Sequence, residues 1–213
     1  FLEREGLLIR THGGAVPAYG TRFEPSLRER ERRRAASKVA MAKLARTFVQ
    51  PGDSLALDAG TTITAVARQL TGIRYLTIVT NNIQAAVELA QEPTNTVLLL
   101  GGVVSRQNLS TLSGLACRQA AEYRVDKAFI SGAAFSLEDG LTDPSIEENE
   151  VKQALIRNAQ EVTVVIDSSK LGRTAFAIVC RIAEIDRIIT DHEADPEIVE
   201  KLRMEGVEVH LAR

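Results

Sequence analysis

The sequence predicts an α/β domain with a mainly parallel, doubly wound sheet and helices on both faces. Three observations lead there. From Asp53 onward, short Leu-rich or β-branched runs alternate with segments of helical periodicity, the rhythm of a parallel sheet with crossover helices. The runs are continuously apolar rather than alternating, as strands covered on both faces require. Polar and glycine residues collect where the runs stop, and open parallel sheets bind ligands at those carboxyl ends.

Taken in order, "GGAVPAYGTRFEPS" at 13–26 is rich in Gly and Pro, lacks periodicity and is expected to be a linker. Residues 27–48 carry charge first and then Val39, Met41, Ala42, Ala45 and Phe48 at helical spacing. The block "RERERRR" is either an anion-seeking patch or a solvated helical face, since glutamates interrupt it. The expected strands are "SLALD", "LTIVT", "TVLLLGG", "KAFISG", "VTVVID", "RIIT" and "VEVHL". Between them, helices are expected over 62–71, 82–91, 114–123, 145–159 and 195–204.

At 213 residues the chain is long enough for one such domain with a sizeable core. Hydrophobic residues at 45% and charged residues at 25% are ordinary globular values, and no apolar run is long enough to span a bilayer. The formal net charge of −2 argues against the folded bulk being a nucleic-acid surface. Cys117 and Cys180 lack metal-ligand spacing and read as free thiols of a reducing cytoplasm. His12, His192 and His210 assemble no hydrolase constellation, and no metal cluster or cofactor motif is present. The opening "FLEREGLLIR" reads as the end of a helix and a turn, which suggests that a preceding piece is missing.

Four junctions can carry chemistry. In "LDAGTT", Asp58 closes a strand, Gly60 permits a tight turn, and Thr61 and Thr62 fall at a helix N-terminus. Unpaired N–H groups and the helix dipole make such a turn an anion site, and the hydroxyls add donors; the plainer alternative is a threonine helix cap. The turn has neither the Gly-Lys-Ser/Thr of a Walker loop nor the three glycines of a dinucleotide fingerprint. "VTNN" sets Asn81 and Asn82 between a strand and a helix, as ligand groups or as a cap. Gly101 and Gly102 in "LLLGGVVS" let a ligand or another backbone approach closely. In "VIDSSKLG", Asp167 precedes Lys170 by three residues, close enough to pair or to share a ligand. On the helix within "PSIEENEVKQALI", Glu148 and Lys152 are four apart on one face, the spacing of an ion pair.

These segments, in this order, resemble the effector-sensing part of the DeoR-type bacterial transcriptional repressors. "LDAGTT", "IVTNN", "LLGG", "DKAFISG", "EENEVKQALI", "DSSKLG" and "IITD" are each short, and their shared order and spacing carry the likeness. "GLLIRTHGGAV" is similar to the segment that closes that family's N-terminal winged helix-turn-helix. The resemblance implies a ribose-5-phosphate isomerase/CoA transferase-like fold. Residues 1–20 would be the tail of the DNA-binding domain plus linker, and 21–213 the effector domain. It further implies a phosphate loop at Gly60, Thr61 and Thr62 beside Asp58, an Asp-x-x-Lys pair at Asp167 and Lys170, and a basic pair on the first helix at Arg30 and Lys38. "SGAAF" departs from the family's Gly-x-x-Gly shape by placing Ala133 and Ala134 where a glycine is common, which bears on the pocket wall.

The expected function is therefore ligand-responsive repression, not catalysis. A phosphorylated sugar or polyol would bind at the strand ends and change how helix-turn-helix domains are held on operator DNA. Thr61, Thr62, Gly60 and Lys170 would hold the phosphate, while Asp58, Asn81 and Asp167 would read hydroxyls; Asn82, Gly101, Gly102, Lys152, Arg30 and Lys38 complete the candidate site. A homodimer or homotetramer in the cytoplasm is expected, because a two-fold operator calls for a symmetric reader. The rival class is a sugar-phosphate isomerase, deaminase or CoA transferase on the same fold, with Asp58, Asp139 or Glu147 as general base. "EREGLLIRTHGGA" weighs against it, since such enzymes have no use for that segment. A third class, a scaffold module without a ligand, predicts no stabilisation by any sugar phosphate.

Overall fold

The computed structural model describes residues 8–11, 14–17 and 25–213. Strands β1 (Leu8–Thr11) and β2 (Gly14–Pro17) form an antiparallel pair. The 13–26 stretch expected to be a linker therefore contains a strand, while 18–24 and 1–7 lie outside the described residues. The expected first helix is two helices, α1 (Leu27–Arg32) and α2 (Ala35–Arg46). They are separated at Arg34, which takes a left-handed φ of 53°. The charge-first, apolar-later pattern corresponds to burial and did not reveal the break: α1 buries no residue, whereas α2 buries Met41, Ala42 and Ala45.

The remaining elements follow the anticipated alternation. Strand β3 (Ser54–Leu57) leads into α3 (Thr61–Leu70), β4 (Thr77–Thr80) into α4 (Ile83–Leu89), and β5 (Thr96–Leu99) into a small ribbon of β6 (Val103–Ser105) and β7 (Ser110–Leu112). Helix α5 (Gly114–Ala120) then precedes β8 (Val125–Ile130). Two short strands, β9 (Ala134–Ser136) and β10 (Gly140–Asp143), come before α6 (Ile146–Arg157) and β11 (Ala159–Val165). Strand β12 (Ala177–Cys180) joins β10 and β9 in a three-stranded antiparallel sheet that the strand pattern does not foretell. Last come β13 (Arg187–Asp191), α7 (Pro196–Met204) and β14 (Glu208–Ala212).

Seven strands make the central sheet in the order β14-β13-β11-β8-β3-β4-β5, all neighbours parallel. The alternation of side chains along each strand divides the core in two. Leu55 and Leu57 of β3 face a layer with Met41 of α2 and Ile63, Val66 and Leu70 of α3, whereas Ala56 faces a layer with Val151 and Leu155 of α6 and Leu202 of α7. In α3 the buried Ile63, Val66, Ala67 and Leu70 recur at the spacing that makes one helical face. Cys180 is buried, which pushes its thiol up to about 12, and Cys117 is partly buried; both are free. Among the described residues no helix is long and apolar enough to cross a membrane.

Chain order runs outward in both directions from the junction of β3 and β8, so that junction is the topological switch point of the sheet. One buried ion pair closes it. Lys152 Nζ of α6 lies 2.5 Å from Asp58 Oδ2 beyond β3 and donates to the Ser131 carbonyl beyond β8 at 3.0 Å, while Ser131 N–H donates to Asp58 Oδ2 at 3.1 Å. Neither charged side chain is more than 4% exposed. Lys152 thus pairs across the fold, with the charge of Glu148, one turn away on its own helix, also acting on it; Glu148 accepts from the Asn108 amide as well.

Removing one partner strands a buried charge, whereas removing both does not. Lys152→Met is expected to cost about 3–5 kcal/mol in chemical denaturation at pH 7, and Asp58→Asn/Lys152→Met less than Lys152→Met alone.

Candidate functional site

The turn after β3 has the form that an anion site needs. Gly60 is the N-cap residue of α3 at φ 99°, a backbone conformation costly for any other residue, and no side chain of the described residues caps the helix. A Cβ at Gly60 would meet nothing within 4 Å, so the turn faces open space. Neither Thr61 nor Thr62 is the cap that the plainer reading expected. Thr61 is half-buried and Thr62 buried. The Thr64 hydroxyl, one turn into the helix, donates back to the Gly60 carbonyl at 3.0 Å and steadies the turn.

Two of the four expected junctions serve the protein's own backbone. The Asn82 side chain accepts from Ala85 N–H at 3.0 Å and donates to Thr64 Oγ1 at 3.0 Å and to the Asp58 carbonyl at 3.3 Å. It caps α4 and laces the ends of β3 and β4 together, leaving its amide committed internally. Gly101 N–H donates to Gln119 Oε1 at 2.7 Å. At Gly102, with φ 143°, a Cβ would lie 2.4 Å from the Leu112 carbonyl oxygen. The close approach foreseen at these glycines is thus made by protein: at Gly102 by Leu112 of the β6–β7 ribbon, and at Gly101 by Gln119 and Leu115 of α5.

Asn81 differs from its neighbour. Its Nδ2 donates to the Thr111 carbonyl at 3.3 Å, but its Oδ1 is buried without a partner. Asp58 Oδ1 is in the same condition.

The basic candidates from three parts of the chain converge. Arg30 donates to the Pro25 carbonyl at 3.1 Å and to the Gln107 carbonyl at 2.6 Å, while Lys38 Nζ donates to the Arg30 carbonyl. Lys170, in the 3-10 turn Ser168–Lys170, donates to the Gly132 carbonyl at 2.7 Å beyond β8. The Asp167 carboxylate caps that turn, accepting from Ser169 N–H at 3.2 Å, and is itself buried.

Electrostatics confirms the convergence. Burial, reinforced by the Lys170 charge, lowers the Lys38 ammonium to about 8. Lys170 is lowered as well: burial dominates, Asp167 and Asp143 oppose it, and Arg30 and Lys152 add to it. Lys152 behaves differently. Burial pulls its pKa down, but Asp58, Asp143 and Glu148 outweigh that and hold it above the ordinary lysine value. Lys38 and Lys170 are thus cations that their own fold disfavours, Lys170 held at the end of β8 by the Gly132 carbonyl.

Other polar residues complete the surroundings without having been singled out in the sequence. Asn108, Ser110, Asp143 and Asn149 are buried, each with at least one side-chain polar atom lacking a partner. Their signal was faint. Glu148, Asn149 and Lys152 share the spacing of one helical face, and all three are buried on a helix whose apolar face is also covered. Arg34 was missed too. Its guanidinium donates to Ser168 Oγ at 2.6 Å, Asp191 Oδ1 at 3.2 Å and Glu193 Oε2 at 2.7 Å, fastening the start of α2 to the ends of β11 and β13.

The carboxylates considered as general bases are occupied or remote. Asp58 is tied to Lys152, Asp139 lies 3.4 Å from Arg181, and Glu147 is exposed and accepts from Ser145 Oγ at 3.2 Å.

Comparison with known proteins gives the chain its relatives. It is 31% identical over 211 residues to the HTH-type transcriptional regulator GolR of Listeria innocua, covering 99% of this chain and 83% of that protein. It is 32% identical over 209 residues to the HTH-type transcriptional repressor GlcR of Bacillus subtilis, covering 98% and 80%. Among solved structures, eIF2B delta from Chaetomium thermophilum shares the fold with a TM-score of 0.50 at 17% identity, over 74% of this chain and 56% of that one. A D-ribose-5-phosphate isomerase matches with a TM-score of 0.46 at 16% identity, over 63% of this chain and 52% of that one. The chain thus spans about half the length of either solved relative. The family model described as the DeoR C terminal sensor domain matches residues 33–192, and the chain belongs to that family.

Proposed function

We propose that this chain is the effector-sensing part of a DNA-binding transcriptional repressor of sugar metabolism, and that its effector is a phosphorylated sugar or polyol held at the carboxyl ends of β3, β4 and β8. One observation carries the reading: Lys38 and Lys170, two lysines whose protonated forms are disfavoured by burial, gather with Arg30, Lys170 donating to the Gly132 carbonyl beyond β8, in a sheet whose neighbouring strand β3 leads into a helix with no side-chain cap. Such a cluster favours a dianion, which would offset the mutual repulsion and accept from the N–H groups of the first helical turn. In this reading Gly60, Thr61, Thr62, Lys38 and Lys170 hold the phosphate, with Arg30 beside them. Asp58, Asn81 and Asp167 frame the rest of the ligand.

The DNA-reading domain, operator binding and a symmetric homo-oligomer in the cytoplasm belong to the same proposal. Residues 1–20 would be the tail and linker of that domain, and 21–213 the sensing unit. The sensor reading, in place of catalysis, draws support from relatives named as transcriptional regulators. Binding would act through α1 and α2, since Lys38 and Arg34 sit at the start of α2 and Arg30 on α1. Only a ligand with different affinities for two arrangements of that segment can shift it.

A differential scanning screen of sugar and polyol phosphates tests the reading. An effector at about 100 times its dissociation constant is expected to add roughly 2.7 kcal/mol of stability. Thr62→Val and Lys170→Ala are expected to reduce that gain far more than they reduce the stability of the free chain. Absence of a shift with every phosphoester, or steady turnover of ribose 5-phosphate or glucosamine 6-phosphate, would overturn it.

The pH dependence has a definite sign. Lys38 of the free protein loses its proton around pH 8, so a phosphate bound through its charged form is held less tightly as pH rises from about 7.5 to 9.5. Stability of the ligand-free chain moves oppositely in its Lys38 contribution: the lowered lysine favours unfolding below about 8, and the penalty is relieved as pH climbs toward the unfolded value of 10.5. Calorimetric titrations with Lys38→Met are expected to show a smaller alkaline fall in affinity, with Lys170 accounting for what remains.

A further inference from the structure

We infer that Asp58, Asn81, Asn108, Ser110, Asp143 and Asn149 form a second pole of the site in which hydrogen-bond acceptors predominate, so that the effector is a phosphoester of a polyol or neutral sugar and not of a sugar acid. The inference rests on the phosphate reading above and adds to it the ligand's orientation and the chemical nature of its far end.

The first support is where unpartnered polar atoms gather. Nine buried side-chain polar atoms among the described residues lack a hydrogen-bond partner, and seven of them belong to these six residues. Each such group carries a desolvation cost on the order of 1–3 kcal/mol. Native structures keep only a few in a whole domain, so a local concentration marks polar groups kept ready for something that enters.

The second support is that the fold brings them together. Ile83 N–H donates to the Leu109 carbonyl at 3.1 Å, Thr111 N–H donates to the Asn81 carbonyl at 2.9 Å, and Asn82 bridges Ser110. These contacts lay the 108–111 segment across the end of β4. The Asn108 amide then reaches Glu148 of α6. Asn149 follows in sequence, and one turn further Lys152 grips Asp58, with Asp143 Oδ2 at 3.9 Å.

The third support is polarity. Asn81 and Asn108 each spend Nδ2 as a donor, to a carbonyl and to a carboxylate, which assigns the unpartnered atom of each as the amide oxygen. Asp58 Oδ1 and Asp143 Oδ1 are carboxylate oxygens. Four of the seven atoms are therefore pure acceptors, while Asn149 offers both roles and Ser110 a hydroxyl. A ligand must answer them with donors, and hydroxyl groups do so. A phosphate or carboxylate brings only acceptors and meets the negative charges of Asp58, Asp143 and Glu148 at low dielectric. The anion is thereby turned toward Lys38 and Lys170, and the hydroxylated end toward the acceptors.

Calorimetric titration of the 213-residue chain with inorganic phosphate, ribose 5-phosphate, glucose 6-phosphate, glucitol 6-phosphate, ribonate 5-phosphate and gluconate 6-phosphate tests this. The best neutral ester is expected to bind at least about tenfold tighter than inorganic phosphate, and its sugar-acid counterpart at least about tenfold weaker than that ester, one good hydrogen bond being worth about a factor of ten. Asn149→Ala and Asn81→Ala are expected to weaken the neutral ester about tenfold each while leaving inorganic phosphate unchanged. The unmutated chain suffices for the ester-against-acid comparison, so misfolding of a variant does not shield the inference. A sugar acid binding as tightly as its neutral counterpart overturns it. So does inorganic phosphate binding as tightly as every neutral ester, which leaves the phosphate reading standing. No binding of inorganic phosphate or of any ester removes both.

Discussion

The buried pair of Asp58 and Lys152 is the constraint on which the rest of the site depends. In a parallel sheet whose strands run outward from a central junction, the ends of the two central strands splay apart and leave a crevice. Here that crevice is spanned by a lysine of α6 that holds the carboxylate beyond β3 and the carbonyl beyond β8 together. Two desolvated charges are an expensive way to join two strands. Their orientation is what they provide: Asp58 Oδ2 is fixed by two partners, Lys152 Nζ and Ser131 N–H, which leaves the buried Oδ1 without a hydrogen-bond partner. An apolar contact would close the crevice as firmly but would present nothing to a ligand.

The same pair separates the charges of the site into two regions. Lys152 is already matched by Asp58, Asp143 and Glu148, so its charge is not available to a second anion. Lys38 and Lys170 are not matched to the same degree, and both are lowered by burial. Cations thus dominate near the 3-10 turn and the start of α2, and acceptor oxygens dominate near α6 and the β6–β7 ribbon. In the proposed reading, a ligand with one anionic and one hydroxylated end would fit only one way round.

The legibility of this arrangement in the sequence follows the range of the interactions. The strand-to-helix turn at Asp58, Gly60, Thr61 and Thr62 could be located because a local pattern dictates it: an apolar run, a glycine with positive φ, and a helix start. The sheet's rhythm was readable for the same reason. The break at Arg34, the ribbon at 103–112 and the antiparallel sheet of β9, β10 and β12 were not, since each is set by tertiary contacts of short segments without periodicity. The helix-face spacing of Glu148 and Lys152 was legible, but not the pairing of Lys152 with Asp58, because spacing along a helix says nothing about a carboxylate 94 residues away. Asn81 and Asn82 are adjacent and chemically identical, but one caps α4 and the other leaves an oxygen unpartnered; only the direction of the backbone decides which.

Lys38 shows why charge at this site reaches beyond it. Its ammonium donates to the carbonyl of Arg30, eight residues earlier, so one side chain joins α1, α2 and the strand ends. Arg34, between the helices in a left-handed conformation, is anchored to Ser168, Asp191 and Glu193. The α1–α2 break is therefore fastened at two points, one of them a lysine repelled by Lys170. An anion between Lys38 and Lys170 converts that repulsion into two attractions and strengthens one fastening without touching the other. The change is differential between an arrangement in which Lys38 faces Lys170 and one in which it does not, and such a difference is the thermodynamic requirement for a bound ligand to move a segment. Along the chain α1 follows the residues that lead back to β1 and β2, so in the proposed reading an anion in this crevice would act on the part of the molecule covalently nearest the N-terminus.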